Sequence, residues 1–407
     1  MKQSPIGSAI AVMIAAAAFT PFGRAATFGE DVAFLKEHTE VIVLRDHAGA
    51  AELAVVPAWQ GRVMTSSAGG DGGSSHGWVN RELIASGKPL PHMNAFGGED
   101  RFWMGPEGGQ FSIFFAPGTK FEFADWQTPA VFDTLPFAVI SKSNDAVLFG
   151  AKFGLVNYSG TRFEVKVERK VSLLDAAAVW KELGILPVKD VSMVAFASEN
   201  RITNAGKEAW KKETGELSIW ILSMFNPSPS TSIVVPIKSG PESELGVKAT
   251  SDYFGPVPAD RLIIRDDVIL FAADGKYRSK IGISPKRSKA ILGSYDASNN
   301  VLTLVKFTQP AGVTDYVNSL WKLQDNPFRG DAANAYNDGP ATPGAKPMGP
   351  FYELESSSPA AALAPGERLS HTQRTFHLSG PKAALDGVAR ATLGVSLDEI
   401  KDAFSKR

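Results

Sequence analysis

Residues 163–169 alternate apolar and charged positions, Phe163-Glu164-Val165-Lys166-Val167-Glu168-Arg169. That period of two is what a half-buried strand requires, because successive side chains leave opposite faces. Short β-rich runs of similar character recur at 40–44, 51–56, 110–115, 232–237, 261–264 and 301–307. Turn residues punctuate them, as in Asp274-Gly275, Ser298-Asn299-Asn300 and Pro310-Ala311-Gly312. Helical periodicity is confined to 28–40, which predicts one helix, and to 381–404, which predicts a pair. Gly380-Pro381 sets a proline in the first turn of that pair. Many strands with few helices exclude βαβ units, and the lack of a fixed repeat excludes propellers and solenoids. The pattern predicts one large all-β domain over 26–380 with a helical extension over 381–407. Residues 331–348, rich in Ala, Gly, Asn and Pro, are expected to form a long surface loop.

The first residues read differently. Lys2 precedes a mostly apolar stretch over 6–19, and small residues stand at Gly23 and Ala25. This is the order of a secretory signal peptide cut after Ala25, and the stretch is shorter than the roughly 18 residues a spanning helix needs. The expectation is a periplasmic or secreted protein with no membrane contact once residues 1–25 are removed. The balance of 42 basic against 43 acidic residues offers no field for nucleic acid. Cysteine is absent, which excludes disulfides, thiolate zinc sites and a cysteine nucleophile. The 6 histidines include no His-Glu-x-x-His pair, and no Gly-x-Ser-x-Gly elbow occurs, so a catalytic zinc and a serine nucleophile are disfavoured.

Three segments can carry chemistry. In 92–109, an extended 99–103 would set Glu99, Arg101 and Trp103 on one face. A guanidinium fork beside an indole suits a sugar, since one donates to hydroxyls and the other stacks on C–H groups. His92 opens this segment and His76 lies in a glycine-rich loop; both are loop histidines beside aromatic or acidic neighbours. In 349–359, a strand would point Glu353, Glu355 and Ser357 one way and Tyr352 and Leu354 the other. Same-face carbons then lie about 6.5–7 Å apart, close enough for the two carboxylates to perturb each other's proton affinity. With Asp338 they could also hold Ca²⁺ through oxygen ligands. In 334–340, Asn334, Asn337 and Asp338 crowd donors and acceptors together as a polyhydroxylated ligand demands, although Asn-Asp-Gly-Pro is also ordinary turn chemistry.

Residues 351–359 and 363–376, a Tyr-Glu-Leu-Glu-Ser-Ser-Ser-Pro strand followed by Leu-Ala-Pro-Gly-Glu, resemble the end of galactose mutarotase-like (aldose 1-epimerase-like) proteins. Residues 157–171 resemble that fold's central strands, and Ile202-Thr203-Asn204-Ala205-Gly206 resembles a strand end it repeats. With Gly97–Trp103 and Asn334–Pro340 the chain looks closest to an uncharacterised bacterial secreted family of the same expected fold. The resemblance implies a β-supersandwich of large antiparallel sheets with few short helices and a sugar-sized cleft on a concave face. It further implies a strand glutamate that takes the anomeric hydroxyl proton, a place that Glu355 matches, with Glu353 beside it. The family's histidine acid does not carry over. Where a His-Pro segment belongs, this chain has Met224-Phe225-Asn226-Pro227.

Two functional classes remain open on these grounds. One is an enzyme, epimerase-like or glycan-cleaving, with Glu355 as base, His92 or Arg101 as proton donor or charge stabiliser, and Trp103, Glu99, Glu353, Asn334, Asn337 and Asp338 contacting saccharide. The other is a non-catalytic saccharide-binding protein in glycan uptake. Neither class needs a cofactor beyond the Ca²⁺ considered above. Both require that the acidic pair and the Arg101–Trp103 pair look into one hollow.

Overall fold

The computed structural model describes residues 26–46, 49–342 and 344–405. The signal-peptide expectation falls on residues 1–25, outside the described residues. Within them the strands form a ten-stranded, a five-stranded and a three-stranded sheet. Neighbouring strands run antiparallel throughout, as the all-β expectation requires. The alternating 163–169 segment lies inside the strand Arg162–Leu173, whose burial alternates along most of its length.

The two larger sheets pack face to face. Phe102, Ile219 and Ile221 of the smaller meet Phe163, Val165 and Phe196 of the larger. Further along, Ile281, Ala335 and Leu354 meet Ile233, Phe271 and Val305. Full burial of one such side chain stabilises by about 1.5–3 kcal/mol. Part of the far face of the ten-stranded sheet is covered by the predicted C-terminal pair, helices Lys382–Leu393 and Leu397–Asp402. Their Leu385, Val388, Leu393 and Ile400 pack on Val234, Leu270 and Leu304. Pro381 stands at the N-cap, one position before the first turn. The N-terminal helix Phe28–His38 is closed by a capping box of Thr27 and Glu30.

Two expectations are corrected. Residues 110–115 form turns and bends with one isolated bridge, Phe115 to Trp126. Gly109 at φ 80° turns the chain there, and Phe114 and Phe115 fill an aromatic cluster with Trp103, Trp126 and Trp321, so their apolar character serves packing and not a ladder. Residues 331–348 do not form one long loop, because Ala333–Asn337 is a strand of the five-stranded sheet. Every residue of that strand is buried. Buried on both faces, it shows no hydrophobic alternation, and its two asparagines imitate a turn.

Candidate functional site

The five-stranded sheet runs in the order Ser279–Ile283, Ala333–Asn337, Tyr352–Ser357, Ser218–Phe225, Arg101–Gly105. Its register sets Arg101 opposite Leu222, Leu222 opposite Glu355, and Glu355 opposite Asn334. The next row holds Met224, Glu353, Tyr336 and Lys280, and Trp103 stands opposite Trp220. Directly opposed residues leave a sheet on the same side. The side away from the core therefore carries Arg101, Trp103, Trp220, Glu353, Glu355, Asn334, Tyr336 and Lys280. The acidic pair and the guanidinium–indole pair do share one face.

The contacts on this face are continuous. Arg101 Nη2 donates to Glu353 Oε1 at 2.5 Å, and the guanidinium lies 5.2 Å from the Trp103 ring centroid. Trp103 meets Trp220 edge-on at 5.6 Å. Trp220 Nε1 and Lys280 Nζ both donate to Glu355 Oε2 at 2.9 Å, and the ammonium lies 5.0 Å from the Trp220 centroid. Asn334 Nδ2 donates to the Tyr253 hydroxyl at 3.3 Å, and Tyr253 in turn donates to Asp331.

Four deeply buried polar atoms on this face have no hydrogen-bond partner among the described residues: Glu355 Oε1, Arg101 Nε, Trp103 Nε1 and Ser218 Oγ. Glu355 is 0%, Arg101 2% and Trp103 4% exposed. Ser218 stands opposite Gly105, in the row beyond the tryptophans.

Burial also moves proton affinities. It pushes Glu353 up to about 7, against the pull of Arg101 and with the push of Glu355. It pushes Glu107 up to about 7, where Lys280 opposes and Glu355 reinforces the shift. Asp331 is raised to about 6, again by burial first. For Lys280 burial disfavours the charge, but Glu355 and Glu107 outweigh it and hold the ammonium above its usual range. The face thus combines carboxyl groups that bind protons near neutrality with a persistent cation.

The other residues singled out in the sequence lie elsewhere. His92 Nδ1 is bonded to the Trp126 carbonyl at 2.6 Å and its ring packs on Phe123; no contact links it to Glu355 or Arg101. Glu99 precedes the strand, which starts at Arg101. Its Oε2 accepts from Ser66 at 2.9 Å and lies 2.8 Å from His377 Nε2, inside the protein. His76 stacks on that same His377. Asn337 belongs to the opposite face, where it accepts from Gly275 N–H and donates to the Tyr277 carbonyl. Asp338 accepts from Gly349 N–H at 2.7 Å and from Tyr336 at 3.1 Å. Glu353, Glu355 and Asp338 each answer to different partners, and among the described residues no group of three His, Asp or Glu side chains is arranged to hold a metal ion.

Lys280, Trp220, Ser218, Tyr253, Asp331 and Glu107 escaped the sequence reading. Trp220 and Ser218 sit in or beside a run that reads simply as apolar core, and Lys280 carries no motif. Glu107 lies within 92–109 between Gly105 and Gly108, and no local pattern marks it as a proton donor.

A family model described only as a family of unknown function, DUF6786, matches residues 26–404. A search of curated proteins returns no significant match. The likeness to galactose mutarotases recurs among solved structures. An Escherichia coli K12 protein provisionally assigned as an aldose 1-epimerase is 13% identical with a TM-score of 0.49, over 84% of this chain and 99% of that one. A galactose mutarotase-like protein from Lactobacillus casei is 11% identical with a TM-score of 0.45, over 83% and 100%. A galactose mutarotase related enzyme from Lactobacillus acidophilus is 8% identical with a TM-score of 0.46, over 84% and 98%. At these identities and TM-scores no residue role passes to this chain. No helix among the described residues is long and apolar enough to cross a membrane.

Proposed function

The chain belongs to DUF6786, a family of unknown function, and from its own residues we propose that it is a carbohydrate-active protein. It holds a neutral sugar ring against Trp103 and Trp220 and performs acid/base chemistry at the anomeric centre. The leader-like residues 1–25 support its being exported, to the periplasm or beyond.

The observation that carries this reading is the set of four unpartnered buried atoms beside two indoles. A buried polar group left unpaired costs about 1–3 kcal/mol, and a sequence that keeps four on one face is compensated by a ligand that both donates and accepts. Sugar hydroxyls do both, and the C–H faces of the ring match indole surfaces. The buried cations do not invite a phosphate or a uronate here. Arg101 is already paired with Glu353 and Lys280 with Glu355, so the free groups are those that match neutral hydroxyls.

Glu355 Oε1 is the acceptor for the anomeric hydroxyl proton. Glu107, raised to about 7, supplies a proton to the ring oxygen as the bond from that oxygen to the anomeric carbon opens. Lys280 offsets negative charge that develops beside it. Reclosure on the other side of the carbonyl returns both protons, so anomer interconversion needs no further reactant. Glu355 Oε2 is already held by Lys280 and Trp220, and that fixed carboxylate favours the second reading, saccharide binding without turnover.

The test uses a panel of neutral aldoses. Binding raises the melting temperature, and NMR exchange between anomers reads turnover. Glu355→Gln abolishes exchange while the thermal shift survives; exchange that persists in Glu355→Gln overturns the base assignment. Binding without exchange in the unaltered protein selects the second reading, and no thermal shift with any sugar ends the saccharide reading altogether.

A further inference from the structure

The buried face continues outward at one side. Tyr336, which shares the row of Glu353 and Lys280, meets Phe254 edge-on at 5.9 Å. Phe254 is 46% exposed, and the Arg278 guanidinium lies 4.0 Å from its ring centroid. Arg278 is half-buried; its guanidinium interacts with the Tyr336 hydroxyl and lies in the field of Asp338, while its Nε is buried without a partner. Consecutive residues join the two zones: Tyr253 reaches inward to Asp331 and Asn334, while Phe254 covers Arg278 outside.

An aromatic ring left half in water and stacked on a guanidinium repeats, at the rim, the pairing of Trp103 with Arg101 within. A sugar ring offers the matching surfaces, one C–H face for Phe254 and hydroxyls for Arg278. The two zones adjoin through Tyr253 and Tyr336, as sites for neighbouring units of one chain must. We propose that Phe254 and Arg278 form a second sugar subsite, so that the ligand of this protein is an oligosaccharide of at least two units with its terminal ring on the buried face. This rests on the saccharide reading of that face and adds its chain length.

The experiment compares glucose and galactose with maltose, cellobiose and lactose by calorimetry. The unaltered protein binds at least one disaccharide on the order of tenfold more tightly than either monosaccharide, the scale of one aromatic anchor. Phe254→Ala and Arg278→Ala each reduce that preference and leave monosaccharide affinity unchanged. Both sites lie at the surface or rim, and an unaltered melting temperature confirms that the variants fold. Equal affinity for the two lengths, or a preference that survives both substitutions, overturns the subsite while leaving the buried face intact. Failure of every sugar to bind removes the saccharide reading and the subsite together.

Discussion

Asp100 and Arg101 are neighbours in the chain, and each forms a buried ion pair on opposite sides of the smaller sheet. Asp100 points between the sheets, where its Oδ1 takes Arg169 Nη2 at 2.6 Å and its Oδ2 takes the Ser198 hydroxyl at 2.7 Å. Arg169 also donates to Gly61 and to Asn200, and the network runs on through Gln373, Ser223, Ser356 and His371. None of these side chains leaves a buried polar atom unpartnered. Arg101 points the other way and meets Glu353, yet its Nε, together with Glu355 Oε1, Trp103 Nε1 and Ser218 Oγ, has no partner. Both faces are polar and both are buried. The Asp100–Arg169 network does structural work, because each side chain in it already has its bonds, although Glu99 Oε1 and Thr375 Oγ1 beside it have none; the unsaturated cluster around Arg101 is the one proposed to take a ligand.

Five substitutions, one of them read against pH, can break that contrast. The largest effect is expected from Arg169→Met, which strands Asp100 in the interior and costs about 3–5 kcal/mol. Denaturant unfolding would measure it, and an unchanged midpoint would remove the structural role of the inner pair. Next comes Glu355→Gln, expected to reduce anomeric exchange by on the order of 10²–10⁴ with folding preserved. The two serines sharpen the comparison further. Ser198→Ala removes a bond to a carboxylate and is expected to cost about 1.5–3 kcal/mol, whereas Ser218→Ala deletes a hydroxyl that has no partner and is expected to leave the melting temperature the same or higher. Equal losses from the two would show that saturation does not distinguish the faces.

The smallest effect concerns pH. Glu353 is raised to about 7, so its protonated form is favoured by folding. That contribution is complete below the ordinary glutamate range and is lost as pH rises through about 7. His76, His371 and His377 are pushed down to about 3 by burial. Their contribution is complete only well above the ordinary histidine value of 6.5 and is lost as pH falls through that value towards 3. Between pH 4.5 and 7 the two contributions run in opposite directions, and Glu353 adds a downward slope with rising pH. Glu353→Gln should flatten that slope in thermal melts, and an identical slope would contradict the assignment.

Alternation made part of the site legible in advance. Residues 352–357 had to separate Glu353 and Glu355 from Leu354, and Arg101 and Trp103 had to lie together once 101–105 was extended. Glu99 failed the same rule because the strand starts at Arg101, after two glycines with positive φ at 97 and 98, and the chain direction changes before alternation applies. His92 failed for another reason: proximity in sequence to Arg101 gave no guide to where a loop carries its ring. Lys280 and Trp220 left no local trace, since each is ordinary for a buried strand until its neighbour across the sheet is known.

What the chain determined unaided was the alphabet of short antiparallel strands and the side of each strand on which its acids and aromatics fall, because both depend on backbone geometry over a few residues. Only the tertiary structure decided which strands became neighbours, and therefore that Lys280 and Trp220 meet Glu355 while Glu99 turns inward. Register between segments more than a hundred residues apart is set by how whole faces pack against one another, and no local pattern contains that information.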